Sequence, residues 1–284
     1  MDWLDHFVLL FPGGAIAVAE RGLMFQALLF MLIVAVPVFA LIFFFAWRYR
    51  DRGAIANQKP GGPKYTPDWA HSNLEELIWW AIPLEIILIL GALTWTSTHE
   101  LDPRRALPGG EPLVVQVVAL EDKWLFIYPK ENIAAINYVV LPVNAPVTFK
   151  ITADAPMNSF WIPSLGGQIY AMTGMVTELN LIANEVGHFD GRSANYSGEG
   201  FTKMKFIAEA MPKATFDSWV LSTRASSRFL DQQGYALLKQ TDTTEPVMYG
   251  EVDPDLFDTI VGKFMAGFET TPSSGTSPLN NSGG

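Results

Sequence analysis

The 284-residue sequence contains no cysteine. Disulfides, thiolate metal sites, a cysteine nucleophile and, within this sequence, a lipid-modified cysteine are therefore excluded. Histidine is scarce. His6, His71, His99 and His188 lie far apart, and no two have the spacing of a metal-ligand pair. Positive charge is also short: 19 Lys and Arg stand against 29 Asp and Glu, for a net charge of −10. Too few cations are present to neutralise a phosphate backbone, which excludes nucleic acid as a partner. Apolar residues are plentiful, at 49% of the chain. The mean hydropathy of +0.19 is high for a soluble protein and directs attention to membrane spans.

Gly22 to Trp47 reads GLMFQALLFMLIVAVPVFALIFFFAW, without a charge and with Gln26 as its only strongly polar residue. At roughly 1.5 Å per residue, this run exceeds the ~30 Å hydrocarbon core of a bilayer. A signal peptide is a poorer reading, because the run is too long and no basic region precedes it. Pro37 lies mid-span, where a packed membrane helix tolerates it. A second span, Leu77 to Thr96, carries Trp79, Trp80 and Trp95 near its ends, the interfacial positions that indoles favour. Arg48, Arg50, Arg52, Lys59 and Lys64 lie between the spans, against only Asp51 and Asp68. The positive-inside rule puts this loop in the cytoplasm and both termini outside. The spans form a helical hairpin that anchors an external domain in a lipid bilayer.

After a polar turn the pattern changes to short β-branched runs. Val114–Leu120, Trp124–Tyr128, Asn137–Leu141, Val147–Thr152, Thr177–Ile182 and Met204–Ala208 read as strands. Turn signals such as Asn144-Ala-Pro146 and Gly166-Gly167 separate most of them. Short, evenly spaced strands predict an antiparallel Greek-key sandwich. From about Pro212 the pattern turns helical. The expected organisation is an external N-terminal segment (1–21), a transmembrane hairpin (22–100), an external all-β domain (101–211), a helical, aromatic-rich region (212–269) and a disordered tail (270–284).

Within the external domain, DGRSANYSGEGFTKM places Ser193, Ser197, Phe201 and Met204 at intervals of four, four and three, and Asn158 precedes Ser193 by 35 positions. With the two-span anchor, this arrangement resembles subunit II of the haem–copper respiratory oxidases, from about Gly22 to Phe268. In the copper-bearing branch the domain is a cupredoxin that holds a dicopper centre on a His, a Cys-x3-Cys-x3-His-x2-Met loop and a backbone carbonyl. By that resemblance Asn158 stands for the first His, Ser193 and Ser197 for the cysteines, and Phe201 for the second His. Met204 is retained and Asn195 occupies the carbonyl position. Hydroxyls and an amide are poor copper ligands, and one thioether does not hold the metal. The wording MNSF, IPSLGGQIYAMTGM, LIANE, NYSGEGF and PDLFDTIVGKFMAGF is similar to the quinol-oxidase, bo-type branch.

The resemblance implies a subunit of a proton-pumping ubiquinol oxidase in a bacterial inner membrane, with the large domain and both termini periplasmic. It implies that haems, copper B and the ubiquinol site belong to subunit I, that this chain carries no cofactor or metal, and that subunit I and the other oxidase subunits are its partners. Trp124 matches the residue through which electrons enter in the copper branch; without an acceptor copper, core or subunit packing is the better reading. Glu76, at the cytoplasmic start of the second span, matches a glutamate at the mouth of a proton path, while Glu75 beside it serves the helix dipole equally well. Glu85 lies inside the second span and has no counterpart in the family pattern. Missing cysteines argue against a copper-bearing cytochrome c oxidase subunit. A membrane-anchored periplasmic binding or assembly protein with the same sandwich remains the alternative.

Overall fold

The computed structural model describes residues 10–48, 70–242 and 245–265. The tail at 270–284 and nearly all of the basic stretch between the spans lie outside these described residues. The chain forms two compact units, one of residues 21–102 and one of residues 1–20 with 103–284.

The first unit holds most of α1 (Ala15–Arg48) and all of α2 (Asn73–Glu100). Both are long and apolar enough to cross a membrane, and no residue of their most apolar windows is buried within the chain. At 34 and 28 residues they extend about 51 and 42 Å, so each overshoots the hydrocarbon core. The α1 helix begins seven residues before the span expected from hydropathy. Hydropathy marks where a long apolar run begins; Ala15, Ala17 and Ala19 favour helix ahead of that boundary. Ser72 caps α2, its Oγ accepting from the Glu75 backbone N–H at 3.4 Å.

The second unit is a β-sandwich. One sheet contains β1 (Leu113–Ala119), β2 (Trp124–Tyr128), β3 (Ile133–Ile136), β5 (Val147–Ala153), β8 (Thr177–Leu181) and β12 (Val247–Tyr249), in the order β12-β3-β2-β1-β5-β8. The other contains β4 (Tyr138–Pro142), β6 (Asn158–Trp161), β7 (Ile169–Ala171), β9 (Gly187–Ser193) and β10 (Lys205–Met211), in the order β4-β10-β9-β6-β7. The purely antiparallel expectation fails at two places, because β1 pairs with β5 and β4 with β10 in parallel. In each case the intervening chain visits the opposite sheet before returning, so the two neighbours enter in the same direction. Asn137 is one such crossing point. It adopts φ +53°, which asparagine tolerates, and its Oδ1 accepts from the Trp124 N–H at 2.8 Å.

The core between the sheets is aromatic. Phe160 and Phe206 stack with centroids 5.1 Å apart, and Trp124, Phe126 and Phe149 pack around them. All five residues of β2 are buried. Trp124, Phe126 and Tyr128 enter this core, while Leu125 and Ile127 face a second one. That second core is closed by the C-terminal region: β11 (Phe229–Leu230), α4 (Gln232–Gln240), β13 (Glu251–Val252) and α5 (Leu256–Met265), whereas α3 (Lys213–Arg224) packs Phe216 and Val220 into the first core. Leu230, Leu238, Leu256, Phe257 and Ile260 supply its apolar face. Roughly 25 cal/mol per Å² of buried apolar surface makes this layer a structural part of the domain rather than an appendage.

Two polar clamps fasten the layer. The Asp154 side chain, 1% exposed, accepts from Lys263 Nζ at 2.7 Å, Lys239 Nζ at 2.8 Å and Tyr235 Oη at 2.9 Å. Lys123 is fully buried, and its ammonium donates to the carbonyls of Leu238 (3.0 Å) and Thr241 at the C-terminal end of α4, where the helix dipole favours a cation. A third attachment lies at the N-terminal end of α1. The Gly13 N–H donates to the Ser164 carbonyl at 2.8 Å, and Gly14 bridges Ala183. A Cβ on Gly14 would come within 2.7 Å of the Ile182 carbonyl oxygen, so this close approach requires glycine.

Candidate functional site

The β9–β10 connection carries the residues that the sequence singles out, and β6 brings Asn158 beside them. Phe160 and Ser193 are paired between β6 and β9, and the Ala194 N–H donates to the Ser159 carbonyl at 3.1 Å. The Ser193 N–H donates to the Met204 carbonyl at 3.0 Å and closes the base of the loop. Asn158, Ser193 and Met204 are buried. Their side chains meet at the Met204 sulfur: Asn158 Nδ2 approaches it at 2.8 Å, Ser193 Oγ at 3.5 Å and Ser197 Oγ at 3.9 Å. Asn158 Nδ2 also donates to Ser197 Oγ at 3.0 Å, and Asn158 Oδ1 accepts from the Ser159 N–H at 2.7 Å. Four of the six candidate positions, 35 to 46 residues apart across the β6–β9 gap, thus form one hydrogen-bonded cluster.

The other two turn elsewhere. Asn195 Nδ2 donates to the Met157 carbonyl at 3.4 Å, and the half-buried Phe201 ring meets Tyr196 edge-on at 5.6 Å. A 3₁₀ turn, Glu199–Lys203, follows, and its Gly200 packs against the backbone of Glu121. A Cβ there would come within 2.3 Å of the Glu121 carbonyl oxygen. Lys203 then pairs with Asp242 at 2.6 Å, just beyond α4. The hydrogen bond and charge of Asp242 raise the Lys203 ammonium above its ordinary range. The loop is therefore anchored at both ends. Lys203 and Gly200 escape a sequence reading, since their partners lie 39 and 79 positions away.

The donor set does not fit a dicopper centre. One amide, two hydroxyls and one thioether offer neither thiolate nor imidazole, the ligands that hold copper in such sites. Among the described residues, no group of three or more His, Asp or Glu side chains is placed to hold a metal ion. Trp124 is fully buried between Phe160 and Phe206, and its Nε1 has no hydrogen-bond partner among the described residues. Its packing role follows from that position.

Glu76 lies in the other unit, in the first turn of α2, exposed on an open hollow shared with His71, Ser72, Glu75, Trp79 and Trp80. Its N–H donates to the Ser72 carbonyl at 3.0 Å. Glu85 is exposed at mid-helix.

Residues 113–211 match the family described as cytochrome c oxidase subunit II, periplasmic domain, and residues 224–267 match the cytochrome oxidase aromatic-rich motif. A solved periplasmic domain of cytochrome oxidase subunit II from Bradyrhizobium japonicum is 20% identical, at a TM-score of 0.39, over 40% of this chain and 96% of that one. The cytochrome bo(3) ubiquinol oxidase subunit 2 of Pseudomonas putida is 48% identical over 91% of this chain and 81% of its own length. The ubiquinol oxidase subunit 2 of Acetobacter aceti is 42% identical over 93% and 85%. Two apolar spans, the matched periplasmic domain, an aromatic-rich C-terminal layer and relatives matched along most of their length place the chain in one family: it belongs to the subunit 2 family of bo3-type ubiquinol oxidases.

Proposed function

We propose that this chain serves a proton-pumping ubiquinol oxidase as a subunit without a redox metal, contributing scaffold, assembly contacts and a proton intake. The observation that carries the reading is the cluster at Met204, where Asn158, Ser193 and Ser197 hydrogen-bond to one another and to the sulfur in place of copper ligands. A quinol donor is lipid-soluble and reaches a membrane-embedded subunit directly, so no external copper relay is needed. The haems, copper B and the ubiquinol site then belong to the partner, subunit I. The test is purification through a tag on this chain. Recovery with a haem-bearing polytopic partner, quinol-driven oxygen uptake and no copper in the external domain is expected. Isolation as a free monomer would favour a periplasmic binding or assembly protein instead.

The stretch from Arg48 to Asn73 is cytoplasmic and the β-sandwich periplasmic in this reading. The Lys and Arg excess between the spans supports it by the positive-inside rule; the hydrogen bonds from Gly13 and Ala17 tie the residues before the first span to the sandwich. Single cysteines at Ala56 and at the exposed Ala106 give a direct readout in this Cys-free chain. An impermeant thiol reagent is expected to label position 106 in intact spheroplasts and to spare position 56; the reverse pattern refutes the orientation.

Glu76 is the proton intake in this reading. A carboxylate at a water–membrane boundary relays protons, and α2 holds it in a solvent-facing first turn. Glu76→Ala is expected to slow turnover about tenfold or more, within the range of lost acid–base relays, while haem content stays constant. Glu75→Ala is expected to have a milder effect. Equal, near-wild-type turnover in both variants would leave Glu76 as an acid that serves only the helix dipole.

A further inference from the structure

Glu85 is the only ionisable residue between Leu77 and Thr96. It lies 12 residues after the first residue of α2 and 15 before the last, or about 18 and 22 Å from the two helix ends. That is mid-bilayer depth. Its side chain is exposed, in a helix with no buried residue. The half-covered positions of this part of α2 are Ile86, Leu90, Leu93 and Ser97, which recur at helical spacing and form one stripe. At about 100° per residue, Glu85 stands about 110° away from the centre of that stripe, on a flank that none of the described residues covers. Glu76 lies nine residues earlier, about 180° from Glu85, so the two carboxylates cannot share one face. Glu85 therefore meets different neighbours from Glu76.

A carboxylate facing hydrocarbon is expensive, and such groups in membrane helices face protein or water and meet a partner. Ala81 and Ala92 stand four residues before and seven after Glu85, on the same flank. Small side chains there let a second helix backbone come close. We propose that the Glu85 flank of α2 is a docking surface for a transmembrane helix of another oxidase subunit, and that this helix presents a basic side chain to the Glu85 carboxylate. The occupant follows from charge complementarity: the face is apolar except for one acid, and a subunit 2 chain has other subunits beside it in the membrane. Such a pair sets the register of two otherwise uniformly apolar helices, because a one-turn slip would leave both charges unpaired in hydrocarbon.

The test uses the whole complex, purified in mild detergent through a tag on this chain, with haem per tagged chain and thermal dissociation as readouts. The wild-type complex is the control. If it brings down no haem-bearing partner, the oxidase reading fails before the proposal is reached. Glu85→Leu and Glu85→Gln are each expected to lower haem per tagged chain about fivefold or more, because each leaves the partner's cation buried and alone. Glu85→Asp is expected to retain part of the wild-type value. Membrane insertion of the tagged chain is expected to stay unchanged or improve for Glu85→Leu. Wild-type haem recovery in Glu85→Leu overturns the proposal and leaves Glu85 facing lipid or water. Wild-type recovery in Glu85→Gln with loss in Glu85→Leu also overturns it, since the partner would then be a neutral hydrogen-bonding group. Single cysteines at Ala81 and Leu88, cross-linked within the complex, are expected to capture another subunit; capture at neither position counts against docking on this flank.

Discussion

Asn158→His, Ser193→Cys, Ser197→Cys and Phe201→His, made together in the full chain, are expected to yield a coloured, copper-binding protein. Three of these four positions already converge on Met204, with Asn158, Ser193 and Ser197 all within 3.9 Å of its sulfur. Two thiolates and two imidazoles are a ligand set that copper favours. The serine changes add little volume. Asn158→His removes donors to Ser197 and Met204, and Phe201→His gives up part of the packing against Tyr196. Truncating an aromatic in a core costs ~3–5 kcal/mol, and the loss here is smaller because Phe201 is half-buried and His retains much of a ring. Metal binding to the folded state offsets some of it. The full chain is the proper host, since Gly13 and Gly14 are built into the sandwich. Copper titration is expected to produce intense thiolate-to-copper absorption near stoichiometric metal, with weaker binding in each three-ligand version. A folded variant that stays colourless would show that Phe201 and the serines do not occupy ligand positions.

The second large effect is expected at Asp154. Lys239→Met together with Lys263→Met leaves a carboxylate that is almost fully buried with, among the described residues, only the Tyr235 hydroxyl as side-chain donor. Stranding a buried charge costs about 3 kcal/mol. Thermal unfolding near neutral pH should therefore begin in the C-terminal layer, well below the wild-type temperature. The pH dependence carries a sign. Burial pushes the Asp154 carboxyl up, but hydrogen bonds from Lys239, Lys263 and Tyr235 outweigh it and hold the group below the usual carboxylate range. A carboxyl depressed in the folded state contributes its full stabilisation above the unfolded value, about pH 4, and loses it as pH falls toward the folded value. The gap between wild type and the double variant is thus expected to be widest near neutrality and to close below about pH 4. Tryptophan fluorescence or near-ultraviolet circular dichroism during thermal melts at a series of pH values measures this gap. A gap that stays constant down to pH 3 would show that the lysines act through their packed stems and not through charge.

What could be read in advance followed the range of the interactions. β2 was legible to the residue, Trp124–Tyr128, because a run of aromatic and branched side chains between turn signals is a local property. β3, β6 and β9 were not. Ile133–Ile136 is short, and its identity as a strand depends on pairing with β2 and β12. In β9, Phe189, Gly191 and Ser193 point one way and His188, Asp190 and Arg192 the other, a period-two signal masked by the glycine. That glycine is where the Phe206 ring lies, since a Cβ there would come within 2.1 Å of it. The spacing of Ser193, Ser197, Phe201 and Met204 likewise read directly from the chain, whereas the ties from Gly200 to Glu121 and from Lys203 to Asp242 did not.

The sequence by itself determined that the chain has two apolar runs long enough to span a membrane, a run of short strands, no thiol, and a loop that spaces Ser193, Ser197, Phe201 and Met204 at intervals of four, four and three. These depend on composition and on periods of a few residues, and no distant contact is needed to express them. Only the tertiary structure decided that Asn158 meets Ser197 and Met204 across 39 and 46 positions, and that β1 and β4 take parallel neighbours. It alone decided that the C-terminal layer closes the second face of β2, and that Glu85 stands clear of the half-covered stripe of α2. Each of these depends on which distant segment is present to satisfy a backbone edge, an apolar face or a charge. That partner is selected by the energy of the whole packed arrangement, which no local window contains.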